Sequence, residues 1–289
     1  MTDSVLSAEG LRSAPRGRRQ RGSLLIGASL FIVGGLAVLA VFGPLIRPDP
    51  PNAQDVTNIL ASPSSEHWLG TDELGRDVLS RLITGARTAL AGPLIVAFGS
   101  MVLGTTLGLL AGYRGGTVDS VIMRGVDLAW AVPQLLIVIV IVGAVGGGYW
   151  LAVGLLTFFF TPGTIRIARG ATLEQAPRPY VEAARVLGVP DIKIMFLHIW
   201  PNIAAISLAN TFLAFATALV SLSALSFLGL GAPVGTPDWG VMLAEARRVL
   251  FENPIGVLAP AAAIVITATS MNLVGDWVYE RISARGAVR

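Results

Sequence analysis

The sequence predicts an all-α membrane protein with six transmembrane helices. Of its 289 residues, 53% are hydrophobic and only 13% are charged, and the mean hydropathy is +0.69. Charged residues normally supply about a quarter of a soluble chain, so this composition excludes an ordinary soluble domain. The apolar residues fall in long uncharged runs, and a helix that crosses a bilayer core needs about 20 such residues.

Three of the uncharged runs are each long enough for one helix. Two longer runs each contain more than a single helix can hold. Glycines 146–148 divide the run 128–165 into two helices. The run 199–237 ends in several glycines and prolines, so it holds one helix and a loop. We therefore expect helices at about 24–46, 88–112, 121–145, 149–168, 203–227 and 255–276.

The basic residues predict the orientation of these helices. With both termini in the cytoplasm, the inside segments contain 15 Lys and Arg residues and the outside segments contain 6. Such a bias follows the positive-inside rule. It predicts cytoplasmic tails at 1–22 and 281–289, the first with a basic patch near lipid headgroups. The net charge of +3 reflects this topology and does not indicate a nucleic-acid partner.

An external segment of about forty residues is expected after the first helix. Near its end Leu74, Val78 and Leu82 recur four residues apart, while Arg76 and Arg81 fall on the other face. This spacing predicts an amphipathic helix that lies along the outer surface before the second span.

Several residues near or within the spans predict structural features. Gly104 and Gly108 form a G-x-x-x-G pattern, which favours a close helix crossing, and Pro133 is expected to kink the third helix. Four tryptophans near predicted helix ends are typical of an interfacial aromatic belt: Trp68, Trp150, Trp200 and Trp239.

The sequence predicts neither a metal site nor a catalytic residue. His67 and His198 fall on opposite sides of the membrane in this topology, so they cannot share one ion, and we expect each to be a hydrogen-bonded structural histidine. The absence of cysteine excludes disulfides and thiolate metal sites.

A polar stretch at 181–202 separates long apolar segments on the predicted cytoplasmic side. Pro177 and Pro179 confine a helix to the part that follows them. Gly188 suits the left-handed position that ends a helix, and Pro190 suits the first turn of the next one. We expect a short helix, a sharp turn and a second helix that leads into the fifth span.

Two interpretations of this stretch stay open on its residues alone. Glu182 can pair with Arg185 on a solvated helix, and Gly188 is then only a cap. Alternatively, Ala183 and Ala184 keep one surface flat so that a partner can approach the backbone, and Glu182 pairs with a basic group on that partner.

The order Glu182, Ala183, Ala184, followed by Gly188 and later Pro201, resembles the EAA loop of ABC importer permeases. His198 and Trp200 depart from the general pattern, which has an aliphatic residue and a leucine there. The sequence His-x-x-Pro-Asn is nevertheless similar to the peptide branch of that family.

Further segments are similar to C-type subunits of dipeptide/oligopeptide permeases in the peptide/nickel family. They are the external segment 67–90, the stretches 225–231 and 236–240, and the helix ending 271–276. The resemblance covers about residues 23–280.

The resemblance implies a type I ABC importer permease fold and the coupling of this chain to an ATPase. It divides the chain into the 1–22 tail, a first helix and external segment at 23–87, a five-helix core at 88–280 with the EAA loop at about 170–202, and the 281–289 tail. The residues that it assigns to ATPase coupling are Glu182, Ala183, Ala184, Gly188 and Asp191.

The resemblance also implies partners and a class of cargo. We expect a homologous second permease, one or two ATPase subunits, an extracytoplasmic solute-binding protein and membrane lipid around the chain. Di- and oligopeptides are the expected cargo, with nickel, glutathione and haem as alternatives carried by the same branch. No residue is predicted to bind the substrate.

The chain is not expected to be an enzyme. It lacks the G-x-x-x-x-G-K-[ST] loop that cradles ATP phosphates, so ATP and Mg²⁺ are expected on the partner ATPases. A secondary transporter is the main rival from another class. Such carriers usually place ionisable groups at the membrane midplane, whereas Asp127 and Asp276 fall near predicted cytoplasmic helix ends. Nothing resembles the selectivity filter of a channel.

Overall fold

A computed structural model describes residues 16–286, with side chains for 24–284, and this part of the chain is helical. It contains no β-strand, only an isolated antiparallel bridge between Thr71 and Asp77. The helices are α1 (Arg16–Ile46), α2 (Val78–Arg114), α3 (Gly116–Trp130), α4 (Gln134–Val145), α5 (Gly148–Gln175), α6 (Pro179–Val186), α7 (Asp191–Lys193), a π-helix (Ile194–Ile199), α8 (Trp200–Phe227), α9 (Trp239–Ala246), a 3₁₀ turn (Arg247–Val249) and α10 (Pro254–Gly286).

The predicted tails fall partly outside the described residues, which exclude 1–15 and 287–289. Within the described part, α1 begins eight residues before Leu24, and α10 continues from the last span through residues 281–286. The helices of the first and last spans are therefore longer than the uncharged runs alone predict.

Five segments are long and apolar enough to cross a membrane: α1 from Leu24, α2, α5, the continuous stretch Asp191–Phe227, and α10. A sixth span results if the pair α3 and α4 is counted as one, because the two are bent by 72° at a short break. The all-α prediction is confirmed, and the third span is a bent pair rather than one helix.

The break between α3 and α4 lies at residues 131–133, so the kink predicted at Pro133 is confirmed. Proline has no N–H to donate, and its ring disfavours helical backbone in the residue before it. Pro133 itself becomes the N-cap of α4.

Helices α2 and α5 cross closely, as the G-x-x-x-G pattern predicts. A Cβ on Gly104 would lie 2.5 Å from Thr164 Cβ, and one on Gly108 would lie 2.6 Å from Ala168 Cβ. Because these two glycines have no side chain, α5 packs closer to α2 than a larger residue at either position would allow.

The prediction of a separate amphipathic helix on the outer surface is wrong. The helix begins at Val78 and continues without a break through the second span as α2. Asp77 caps its start, since the Asp77 carboxylate accepts a hydrogen bond of 2.7 Å from the Ser80 backbone N–H. Leu74, expected on the apolar face, precedes the helix and is exposed.

The polar face of that segment is buried instead of solvated. Arg76 and Arg81 are 3% and 1% exposed. Both guanidinium groups donate to the Glu245 carboxylate at 2.8 Å, and both also donate to Asp72, at 2.7 Å from Arg76 and 3.3 Å from Arg81. The backbone N–H of Gly235 donates to the second Glu245 oxygen at 3.2 Å. Because both guanidinium groups are paired with carboxylates, Arg76 and Arg81 can be buried in their charged form.

Glu245 comes from α9, a short helix that lies between the fifth and sixth predicted spans and was not predicted from the sequence. Asp238 caps it by accepting from the backbone N–H groups of Gly240 and Val241 at 2.9 and 3.1 Å. Burial raises the pKa of the Asp238 carboxyl above its usual value of 3.8, against the effect of these hydrogen bonds.

Trp239, the first residue of α9, corrects the predicted aromatic belt. It is 1% exposed, and its indole N–H donates to the Leu82 carbonyl oxygen at 3.0 Å. Trp239 therefore fixes α9 against α2 in the interior. Trp68, Trp150 and Trp200 are exposed, as the belt requires. Trp150 lies in the first turn of α5, whereas Trp68 lies in the irregular segment before α2.

Candidate functional site

The stretch 175–200 forms a compact helical hairpin at one end of the bundle. Helix α6 begins with Pro179 in its first turn and ends at a Schellman motif. The Gly188 N–H donates to the Arg185 carbonyl oxygen at 2.9 Å, and the Val189 N–H donates to that of Ala184 at 3.0 Å. Gly188 has a φ of +72°, so the predicted left-handed helix stop is confirmed.

An apolar cluster anchors the hairpin to the bundle. Val181 and Ala184, on one face of α6, are buried in it. They pack with Leu109 near the end of α2, and with Ile199 and Ile203 where the π-helix leads into α8. The hairpin therefore contacts two of the spans directly.

Polar contacts fix both arms of the hairpin to the end of α2. The Tyr113 hydroxyl donates to the Asp191 carboxylate at 3.0 Å and accepts from the Arg185 Nε–H at 3.1 Å. The Arg185 guanidinium also lies 4.7 Å from the centre of the Tyr113 ring, within cation–π distance. One tyrosine thus joins the residues on either side of the Gly188 turn.

The second arm continues through a π-helical turn into α8. Pro201 has no N–H to donate, and the Asn202 side-chain amide donates to the His198 carbonyl oxygen at 2.6 Å. The same amide donates to the Tyr180 hydroxyl at 3.3 Å. Partial burial raises the pKa of that hydroxyl. Asn202 therefore links the start of α8 to the first turn of α6.

The tip of the hairpin is apolar and exposed. Val186 is 88% exposed, Leu187 is 80% exposed and Ile192 is 65% exposed. Glu182 and Ala183 lie on the exposed side of α6 beside them. A rigid, apolar projection with charged neighbours is typical of a protein-binding surface.

One premise of the predicted coupling surface, that Ala183 and Ala184 together keep it flat, is wrong. Ala184 is 5% exposed and faces the bundle, so the two alanines do not form one flat outer surface. Glu182 forms no ion pair within residues 24–284, and Arg185 bonds to Tyr113 instead. The i,i+3 pair is therefore absent from this structure.

Four residues of the site were missed from the sequence. Tyr113 is distant along the chain, and nothing in its surroundings indicates a partner near 191. Val186, Leu187 and Ile192 did carry a signal, because apolar residues flank the Gly188 turn inside a polar stretch. Such residues at a turn have no core to enter unless a partner supplies it.

Both histidines are hydrogen-bonded, as predicted. His67 Nδ1 lies 3.1 Å from an Asp77 carboxylate oxygen, and His198 Nδ1 lies 3.3 Å from the Lys193 carbonyl oxygen. Ligand atoms of Asp49, His67 and Asp77 lie within 4.8 Å of one another. Asp77 already caps α2, which accounts for one of its oxygens.

Comparison with known proteins identifies the family. Residues 104–287 match the family described as binding-protein-dependent transport system inner membrane component. The chain belongs to this family. The matched part contains the whole hairpin and five of the helices that cross or bend into the membrane.

Two relatives illustrate the similarity to members of this transport family. The chain is 36% identical to the glutathione transport system permease protein GsiD of Pectobacterium atrosepticum, over 92% of this chain and 88% of the relative. It is 34% identical to the dipeptide transport system permease protein DppC of Alkalihalophilus pseudofirmus, over 89% and 84%. The protein is therefore an inner-membrane permease component, as the EAA-type loop implied.

Proposed function

We propose that this permease is the membrane subunit of an ATP-driven importer of di- and oligopeptides, and that its hairpin at 175–200 docks on a separate ATPase subunit. The observation that carries the proposal is the exposed apolar tip formed by Val186, Leu187 and Ile192. An isolated chain leaves this tip in water, whereas a groove on a partner would bury it.

The anchoring of the hairpin supports a mechanical role. Val181 and Ala184 pack on Leu109 of α2 and on Ile199 at the base of α8, and Tyr113 bonds to both arms. A force on the tip would therefore move α2 and α8 rather than bend the loop. Closure of the ATPases on ATP would rock the helices between inward- and outward-facing states, driven by the higher affinity of ATP for the closed form.

The basic-residue bias supports an orientation with both termini and the hairpin in the cytoplasm. In this orientation α9 and the Arg76–Glu245 cluster face the opposite side, where a solute-binding protein would deliver cargo. A second, homologous permease would supply the other half of the translocation path.

The named relatives support the cargo class. One is named for dipeptide transport and another for glutathione transport, and glutathione is itself a small peptide. Small peptides are the chemistry that both names share. Glutathione is therefore the second candidate cargo for this permease.

The coupling role is tested with Gly188→Val in the assembled transporter. The substitution strains a residue with φ of +72° and distorts the turn that presents the tip. We expect peptide uptake to fall more than tenfold while the complex still assembles in the membrane. Gly229→Val is the matched control, since Gly229 has φ of +79° and open space around it but lies far from the hairpin.

Retention of wild-type uptake in Gly188→Val would refute coupling through this turn. The orientation has a separate test in Val186→Cys, because the chain contains no other cysteine. A membrane-impermeant thiol reagent should label this variant only after the cells are opened. Labelling from outside intact cells would invert the topology.

A further inference from the structure

A continuous groove runs across α5 and α8 between the α3–α4 bend and α10. It consists of two adjoining cavities of about 490 Å³ and 530 Å³, and both are lined by Ile167, Asn210 and Leu213. The size is within the usual range for sites that hold small molecules.

The groove is mostly apolar, but carboxamide and hydroxyl groups also line it at the level of the membrane spans. Asn210 lies about 15 Å along α8 from Trp200, at ~1.5 Å per residue. The residues of the lining with a carboxamide or hydroxyl group are Gln134, Thr164, Asn210, Thr217, Asn272 and Tyr279. Such side chains are costly against hydrocarbon, so this face of the bundle meets water, cargo or protein.

Part of the hydrogen-bonding capacity of the groove is unused. The Asn210 amide donates to the Thr164 hydroxyl at 3.1 Å. Asn272 Oδ1, by contrast, is buried and has no partner among the described residues. A buried amide oxygen without a donor is uncommon in a folded protein. Because Asn272 lines the groove, a rotation of its side chain would bring this oxygen to an N–H group of a ligand.

The groove also carries a negative charge at its α10 end. Asp276 follows Asn272 by one helical turn, so the two lie on the same face. Asp276 is exposed and lines the second cavity, and it forms no ion pair between residues 24 and 284. At the other end of the groove, the Arg166 guanidinium lies 2.6 Å from an Asp127 carboxylate oxygen, so the two charges neutralise each other. The carboxylate of Asp276 therefore determines the net charge of the groove.

We infer that this groove is the permease's share of the translocation path, and that it accepts the amide groups and the cationic amino terminus of a peptide in transit. Asn210 and Asn272 supply hydrogen bonds to peptide amides, and Asp276 attracts the ammonium group. This inference rests on the proposed peptide cargo. The contrast is with the outer face of α2, where Leu94, Phe98 and Val102 are exposed and apolar, as a lipid-facing surface requires.

Thiol labelling in the assembled transporter tests the inference. Leu213→Cys places a single thiol in the groove, since the chain has no cysteine of its own. We expect reaction with small charged methanethiosulfonates, about tenfold faster for the cationic reagent than for the anionic one. Asp276→Asn should remove this preference, and a transported dipeptide should slow the labelling. Phe98→Cys, on the outer face of α2, should resist both reagents.

Absence of labelling at position 213, or equal rates for the two reagents with Asp276 intact, would overturn the inference. Labelling only by a membrane-soluble maleimide would mean that lipid or a partner helix occupies the groove. Peptide uptake by the parent transporter, whose permease has no cysteine, is measured in parallel. Uptake without labelling would contradict this path while leaving the proposed function in place, whereas labelling without peptide uptake would contradict the cargo.

Discussion

The Tyr113 hydroxyl at the end of α2 donates a 3.0 Å hydrogen bond to the Asp191 carboxylate in the second arm of the hairpin. It also accepts from Arg185 in the first arm. Tyr113 therefore connects the membrane span α2 to the residues on both sides of the exposed turn. In the proposed mechanism this contact transmits movement of the tip to α2.

Replacement of Tyr113 by phenylalanine removes both hydrogen bonds and keeps the ring beneath Arg185. Each bond contributes about 1 kcal/mol, so the hairpin should loosen and uptake should fall about fivefold or more. Uptake per assembled complex is the measurement. Asp191→Asn is the matched control, because its amide oxygen still accepts from Tyr113 and its effect should be smaller than that of Asp191→Ala. Equal uptake in Tyr113→Phe and wild type would show that this contact is dispensable.

The α2–α5 crossing predicts a packing defect in Gly108→Ala. Its added methyl group would lie 2.6 Å from Ala168 Cβ and 2.8 Å from the Ile165 carbonyl oxygen, and backbone cannot move aside easily. Overpacking of this kind costs about 1–3 kcal/mol, so the thermal midpoint in detergent should fall by several degrees. Gly154→Ala is the control, since nothing lies within 4 Å of the added Cβ. A similar midpoint in the two variants would contradict the close crossing.

The buried ion cluster predicts a large effect of Glu245→Gln. This change leaves Arg76 and Arg81 with Asp72 as the remaining carboxylate among their partners. Loss of one partner from a buried ion pair costs about 3–5 kcal/mol. We expect a marked loss of thermal stability or of assembled protein. The exposed pair at Asp127 gives the comparison, since Asp127→Asn should cost less than about 1 kcal/mol. Equal stability losses would indicate that the cluster is hydrated rather than buried.

The pKa of Asp238 predicts a pH dependence of stability. Burial raises the folded-state pKa above 3.8, so the folded protein binds this proton more tightly than the unfolded chain does. The resulting stability is present at low pH and is lost as the pH rises through the folded-state pKa. Asp238→Asn keeps an acceptor for the cap and cannot ionise. Its unfolding midpoint relative to wild type should therefore increase from pH 4 upward, and a constant difference would contradict the raised pKa.

The sequence predicted those features that depend on local chemistry. The uncharged runs located the spans. Gly188 predicted the turn of the hairpin, and Gly104 and Gly108 predicted the close crossing of α2 and α5. It failed where a distant partner decides the outcome. Arg76 and Arg81 suggest a solvated face until Glu245, more than 160 residues away, is brought beside them.

The candidate site divides in the same way. The positions of proline and glycine predicted the two arms of the hairpin, because these residues restrict or permit particular conformations of their own backbone. The burial of Ala184 depends on Leu109 of another helix, and the role of Tyr113 depends on a contact across 78 positions. Neither contact leaves a periodic signal in the sequence. The assignments of Glu182, Ala183, Ala184, Gly188 and Asp191 to coupling stay predictions until a partner is tested.

Cross-linking from the tip of the hairpin tests the central claim most directly. Leu187→Cys, in a chain with no other cysteine, is treated with a short thiol-reactive cross-linker in membranes that contain the whole transporter. We predict a covalent product with the ATPase subunit from position 187, and none from Phe98→Cys on the outer face of α2. A transporter that imports peptide while position 187 gives no product with the ATPase would contradict the proposed docking site.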